Sequence, residues 1–258
     1  MKKSTLQKRI FAILTAPCLL LAAPMNVGRA WDGNGAAVFV AHGESTSAST
    51  FLTSTYFFGE STTAHLSRKG GVLDTPTLRL HVWKDESGTR ILDRRILSSR
   101  VTCALPTGDA VDRTLEEALR TVRPQRLVLS FGLNGLCYFH SNQTAFLADY
   151  RRLIEGIRAS SPNTEIVVQS IYPVGENSAF SLPAPTLNAY IEVLNARLAE
   201  LCASADGVFF ADTARLLRDA SGSLKKEYDT GDGIHLTNEA YRQILSYLSM
   251  QFSKEEPT

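Results

Sequence analysis

Residues Arg126–Ile171 read RLVLSFGLNGLCYFHSNQTAFLADYRRLIEGIRASSPNTEIVVQSI. The stretch opens on the apolar run Arg126–Phe131, too short for a helix and rich in branched side chains, which reads as a buried strand. Phe146, Leu147, Tyr150, Leu153, Ile154 and Ile157 then recur at helical spacing on one face, and Ser160-Ser161-Pro162 closes that helix. Glu165–Ile171 (EIVVQSI) is a second buried strand. Strand, helix, strand is the pattern of parallel strands, which need such a crossover connection.

The same alternation extends in both directions. Upstream, Thr114–Val122 predicts a helix with Thr114 as N-cap, acidic residues in its first turn and Pro124 beyond its end. Thr55–Phe58 (TYFF), ended by Gly59, predicts a strand, and TTAHLSRKGG a short helix stopped at Gly70-Gly71. Leu78–Trp83 (LRLHVW) alternates with period two and is expected to be a further strand. Downstream, Leu187–Leu201 predicts a helix, Val208–Ala211 a strand and Asn238–Phe252 a final helix. Short apolar strands alternating with amphipathic helices give an α/β fold, a three-layer α/β/α sandwich around a parallel sheet. Ligands of such sheets bind at the carboxyl ends of the strands.

Three polar groups follow strand ends. Gly59-Glu60-Ser61-Thr62 comes after TYFF, with Ser61 at a helix N-terminus whose backbone N–H groups stabilise an oxyanion, though a serine there also serves as a plain cap. Gly132-Leu133-Asn134-Gly135 comes after RLVLSF, and the Asn134 amide is either an oxyanion donor or a turn residue. In Gly231-Asp232-Gly233-Ile234-His235, an Asp three residues before a His is able to turn back onto Nδ1–H, which leaves Nε2 as a base. His42-Gly43-Glu44-Ser45 repeats the GES motif, but TSASTFLTST after Ser45 is a poor helix former, which favours Ser61. Tyr172–Thr186, a long Pro-containing loop, is expected to line a small acyl pocket with Cys137, Tyr138 and Phe139, making Tyr138 and Tyr172 the expected substrate-binding residues. His140 is a further candidate on the substrate side.

The 258 residues are 44% hydrophobic and 21% charged, with 17 Gly and 10 Pro, an ordinary globular composition. The net charge of +1 conceals an asymmetry: residues 1–30 hold five of the 27 basic residues and none of the 26 acidic ones, leaving four more acidic than basic groups in the remainder. A mildly acidic remainder without Lys/Arg runs argues against nucleic acid or an anionic membrane as partner. Residues 1–30 pair a cationic start with the apolar Ile10–Ala23 and small residues at Gly28 and Ala30, the pattern of a signal peptide or N-terminal anchor. Residues 31–54 then form a Ser/Thr-rich entry segment, 55–252 the domain and 253–258 a tail. Cys103, Cys137 and Cys202 lack metal or disulfide-framework spacing and are expected to be buried thiols, and the scattered histidines offer no metal cluster.

GES, GLNG and DGIH in this order resemble blocks I, III and V of the SGNH (GDSL-like) hydrolase superfamily, and the match is closer to the cell-surface SGNH proteins of Gram-positive bacteria. The likeness covers about 56–248 and includes Val82-Trp83, Ser87-Gly88-Thr89, Val167–Pro173 and Asp232–Leu245, the last being the most specific. It implies a flavodoxin-like sandwich and ester hydrolysis through a seryl intermediate, without metal or organic cofactor. Residue by residue it implies Ser61 as nucleophile, His235 as base, Asp232 as the acid orienting it, and Ser61 N–H and Asn134 as oxyanion donors. Gly88 is the expected third donor, with Gly71 as competitor. Glu60 departs from the family's usual Asp, and Gly135 from an Asp often found there. The expectation is thus an exported or cell-surface monomeric serine esterase acting on a short acyl group, such as an O-acetyl on a glycan. A non-catalytic glycan-binding module and an acyltransferase are the alternatives.

Overall fold

A computed structural model describes residues 50–68, 72–84, 90–105 and 107–252. The expected signal segment, Ser45, Gly71, Gly88 and the tail lie outside the described residues. Seven strands are described: β1 (Thr55–Gly59), β2 (Val82–Trp83), β3 (Arg100–Ala104), β4 (Ala110–Thr114), β5 (Arg126–Ser130), β6 (Glu165–Gln169) and β7 (Val208–Ala211). Five of them form one parallel sheet in the order β2-β1-β5-β6-β7. Counted along the sheet alone this is 2-1-3-4-5, the flavodoxin-like order, in which the chain reverses direction of travel between β1 and β5. The longer helices are α1 (Ser61–Leu66), α2 (Leu115–Val122), α3 (Gln143–Ser160), α4 (Ala184–Ala203) and α5 (Asn238–Phe252).

The three layers follow from strand alternation, because successive side chains point to opposite faces. Phe58, Leu127, Leu129, Ile166 and Val168 pack with the apolar faces of α2, α3 and α4. Phe57, Val128 and Val167, each offset by one residue, pack with Leu66 of α1 and with Tyr241, Ile244 and Leu248 of α5. Thr114 caps α2 through a reciprocal pair: its hydroxyl accepts from Glu117 N at 3.2 Å, and the Glu117 carboxylate accepts from Thr114 N at 3.0 Å.

Two expectations need correction, and one element was missed. Only Val82–Trp83 of LRLHVW is strand. Thr75 Oγ1 accepts from Leu78 N at 3.2 Å and Pro76 occupies the first turn, so Pro76–Arg79 is helical instead. The packed domain begins before Thr55, since residues 50–54 are helical and Phe51 is buried with Phe57 and Leu248. The antiparallel hairpin β3–β4 was not expected, although Val101 and Cys103 alternate with more exposed neighbours ahead of a Thr-Gly-Asp turn.

Candidate active site

The site grows from the ends of β1 and β5, which pair in register from Thr55↔Arg126 to Gly59↔Ser130. At Gly59 an added Cβ would sit 2.4 Å from Ser130 O and 2.2 Å from Thr63 Oγ1, so only glycine lets the chain turn directly into α1. Ser61 is the first residue of that helix and is partly exposed. Its hydroxyl donates to Asn134 Oδ1 at 3.4 Å, while Asn134 Nδ2 donates to Arg90 O at 2.9 Å. The reversal point of the sheet therefore brings together two residues 73 positions apart.

The third group enters from the loop before α5. Asp232 Oδ1 accepts from the backbone N–H of Ile234 (2.9 Å) and His235 (2.8 Å), and Oδ2 pairs with His235 Nδ1 at 2.6 Å. Desolvation alone would raise the Asp232 carboxyl, but those backbone and ring N–H groups together bring it down to about 2. The His235 ring rests against His65, with centroids 4.4 Å apart. His65 lies one helical turn after Ser61 and so on the same face of α1. The hydrogen bond expected between Ser61 Oγ and His235 is absent among those of the described residues; the hydroxyl is turned to Asn134 instead, a single-bond rotation away from other staggered positions.

Other expected site residues are distributed differently. Tyr138 is 60% exposed on the short helical turn Leu136–Phe139, directly after Asn134-Gly135. Asn142 Nδ2 donates to its hydroxyl at 3.1 Å. Tyr172, by contrast, is a core residue: its ring packs with Phe57 and Tyr241, its hydroxyl accepts from Gln169 Nε2 at 2.9 Å, and burial lifts its pKa to about 12. It is therefore not a surface available to substrate. The remainder of the Tyr172–Thr186 loop has a role that sequence reading missed. Gly175 N donates to Gly233 O at 2.8 Å and Asn177 Nδ2 to Gly231 O at 2.7 Å, so this loop clamps the Asp232/His235 turn. Gly231 and Gly233 both have positive φ (109° and 71°), which marked that turn in the sequence. Cys103 and Cys202 are buried free thiols, and Cys137 is half-buried. His140 packs its ring against Tyr190, 5.0 Å between centroids.

The GDSL-like Lipase/Acylhydrolase family model matches residues 57–243, from within β1 to within α5, and so spans Ser61, Asn134 and the Asp232/His235 pair. The chain belongs to this family. As a GDSL-like acylhydrolase it is a serine hydrolase of the esterase type. Its fold is similar to that of a protein described as a platelet activating factor from Streptococcus pneumoniae, with 21% identity, 81% of this chain and 92% of that chain covered, and a TM-score of 0.52. It is also similar to a GDSL-like lipase from Bacteroides thetaiotaomicron VPI-5482, with 16% identity, 78% and 88% covered, and a TM-score of 0.51. No curated protein matches the sequence.

Proposed function

We propose that this GDSL-like acylhydrolase is an exported esterase that removes a short acyl group, such as an acetyl, from a glycan through an acyl-serine intermediate on Ser61. The observation that carries the reading is the Ser61–Asn134 hydrogen bond at the reversal point of the sheet, with the Asp232-bonded His235 stacked on His65, one turn along α1 from Ser61. Asp232 holds the Nδ1–H tautomer of His235, which leaves Nε2 as proton acceptor. In the reaction, Ser61 Oγ rotates from Asn134 to His235, passes its proton to Nε2 and attacks the ester carbonyl carbon. The oxyanion is received by Ser61 N–H at the start of α1 and by an Asn134 Nδ2–H, once the amide turns its Oδ1 away from Ser61. Collapse expels the alkoxide, which takes the proton from His235. Water then attacks the acyl-serine with His235 again as base, releasing the carboxylic acid and restoring Ser61.

The short-acyl and glycan parts of the reading are supported by the exposed Tyr138 ring beside Asn134-Gly135, a flat face suited to a sugar ring, and by the acidic balance of the chain after residue 30. Export is supported by the cationic-then-apolar sequence of residues 1–30. A fluorophosphonate probe followed by peptide mapping is expected to label Ser61, and Ser61→Ala is expected to lose ester hydrolysis by orders of magnitude while remaining folded. p-Nitrophenyl acetate is expected to be cleaved far better than the decanoate. Full retention of activity in Ser61→Ala, or labelling elsewhere, overturns the nucleophile; the reverse chain-length ranking overturns the acyl preference.

A further inference from the structure

Glu60 is the N-cap residue of α1, yet its side chain makes no capping bond to that helix. The residue is 2% exposed, and its carboxylate reaches across the β1/β5 reversal point to the following loop. Oε1 accepts from Leu133 N at 2.6 Å and Oε2 from Asn134 N at 2.9 Å. Two separate oxygens on two consecutive N–H groups make a bidentate clamp, which fixes both the position and the orientation of that peptide. The clamp joins the residue next to the nucleophile to the backbone of the oxyanion asparagine. A buried carboxylate in this setting is otherwise expensive, and the hydrolysis described above assigns it no chemical step.

We propose that Glu60 is a positioning residue whose ionised carboxylate holds the Leu133–Asn134 backbone, and through it the Asn134 amide, in catalytic register, and whose protonation loosens that hold. The inference rests on the esterase reading for its kinetic consequence only. The physical reason is donor and acceptor count: an ionised carboxylate is acceptor-only, whereas the protonated acid presents one O–H to a site whose partners are all N–H donors. The clamp is thus weakened in the acid form and restored as pH rises. Desolvation pushes this carboxyl up to about 7, against the lowering influence of the Asn134, Leu133 and Gly132 N–H groups. The change therefore falls in the neutral range.

Few charges intrude on it. Two phenols feel the carboxylate, Tyr150 on α3 and Tyr172 after β6, and burial holds both pKa values above 10.0, where they stay neutral. On the segment before β3, Arg90 carries its guanidinium over the Phe58 ring, 5.7 Å to the centroid, while its carbonyl accepts from the Asn134 amide. Elsewhere at the site, His65 of α1 and the Asp232-bonded His235 stack on each other.

The test has a spectroscopic arm and a kinetic arm, both on the full chain. Amide resonances of Leu133 and Asn134, followed by ¹⁵N–¹H NMR between about pH 5.5 and 8.5, are expected to shift together with one neutral midpoint that vanishes in Glu60→Gln. Flat amide shifts in the wild type, or an unchanged midpoint in Glu60→Gln, overturn the proposal. In the kinetic arm, the acid limb of kcat/KM is expected to lose the dependence on one proton of neutral midpoint on going from the wild type to Glu60→Gln. At pH 8 the variant is expected to lose about tenfold or more in kcat with KM changed less than about twofold, on the scale of a misplaced oxyanion donor. A folded Glu60→Gln protein with wild-type kcat and pH profile overturns it. If the variant does not fold, the wild-type amide titration decides. If the wild type hydrolyses no ester, the esterase reading falls and the amide titration still decides for or against the clamp.

Discussion

Asp232 acts twice within four residues of chain. One oxygen closes a local turn through the Ile234 and His235 N–H groups, and the other holds the imidazole. Asp232→Asn keeps Oδ1 for the turn but presents an N–H₂ to His235 Nδ1. The imidazole is then driven to the opposite tautomer, with its proton on the nitrogen that acts as base in the proposed reaction. A loss in kcat of about ten-thousandfold is expected at unchanged fold, on the scale known for the corresponding change in a serine protease triad. Since the Asp232 carboxyl is held at about 2, it is ionised throughout the range above pH 4. No inflection from it is expected in the wild-type pH–rate profile there; an inflection near pH 4 that disappears in Asp232→Asn contradicts this assignment. His81 illustrates the opposite case: its ring stacks on Tyr56, its Nδ1 faces the Leu52 and Thr55 carbonyls, and burial lowers its pKa, so it is a neutral core residue.

At the scale of elements, α1 and α2 show two ways of starting a helix. The first turn of α1 is given over to chemistry: its N-cap carboxylate is spent on the Leu133–Asn134 loop, and the helix is held by packing of Thr62, Thr63, Ala64 and Leu66, all buried. Helix α2 has the reciprocal Thr114/Glu117 cap. Thr114→Ala removes the acceptor for Glu117 N and is expected to lower unfolding free energy by about 1 kcal/mol. Urea unfolding should show a lower midpoint with unchanged slope, and esterase activity should be untouched, because α2 contributes no side chain to the candidate site. A changed slope or a midpoint at the wild-type value contradicts the role of this cap.

For the molecule as a whole, the end of the sheet opposite the candidate site is tied by Arg126. Its guanidinium meets Glu165 Oε2 at 2.6 Å, Thr55 Oγ1 at 3.3 Å and the Phe252 carbonyl at 2.6 Å. It also lies over the rings of Phe51 and Phe252, 5.2 and 5.7 Å from their centroids. One buried cation thus joins β1, β5, β6, the helical residues 50–54 and the last residue of α5. Arg126→Ala leaves Glu165 without its partner and opens a void, for which about 3–5 kcal/mol of destabilisation is expected, whereas Arg126→Met, which keeps the packing, should cost less. Equal urea midpoints for Ala and Met would show that packing of the side chain is not what this residue contributes.

The sequence by itself determined the alternation of elements, and with it the layered fold. β7 and α5 lie where the apolar runs placed them, and α3 buries Phe146, Tyr150, Leu153, Ile154 and Ile157 as its periodicity required. Local chemistry also marked Gly59, Ser61, Asn134 and the glycine-framed Asp232/His235 pair, because turns and helix starts demand particular residue types over a few positions. Local rules failed where long-range contact decided. Phe51 sits in a Ser/Thr-rich stretch whose composition says loop, yet the core claims it. Tyr172 reads as an accessible loop aromatic, but Gln169 and the sheet bury it. In the sequence Glu60 is only a departure from the family's usual Asp, and only the pairing of β1 with β5 places Leu133 and Asn134 within its reach. Hydrogen bonds between residues more than seventy positions apart leave no periodicity to read; they exist only once the sheet has aligned the two strand ends.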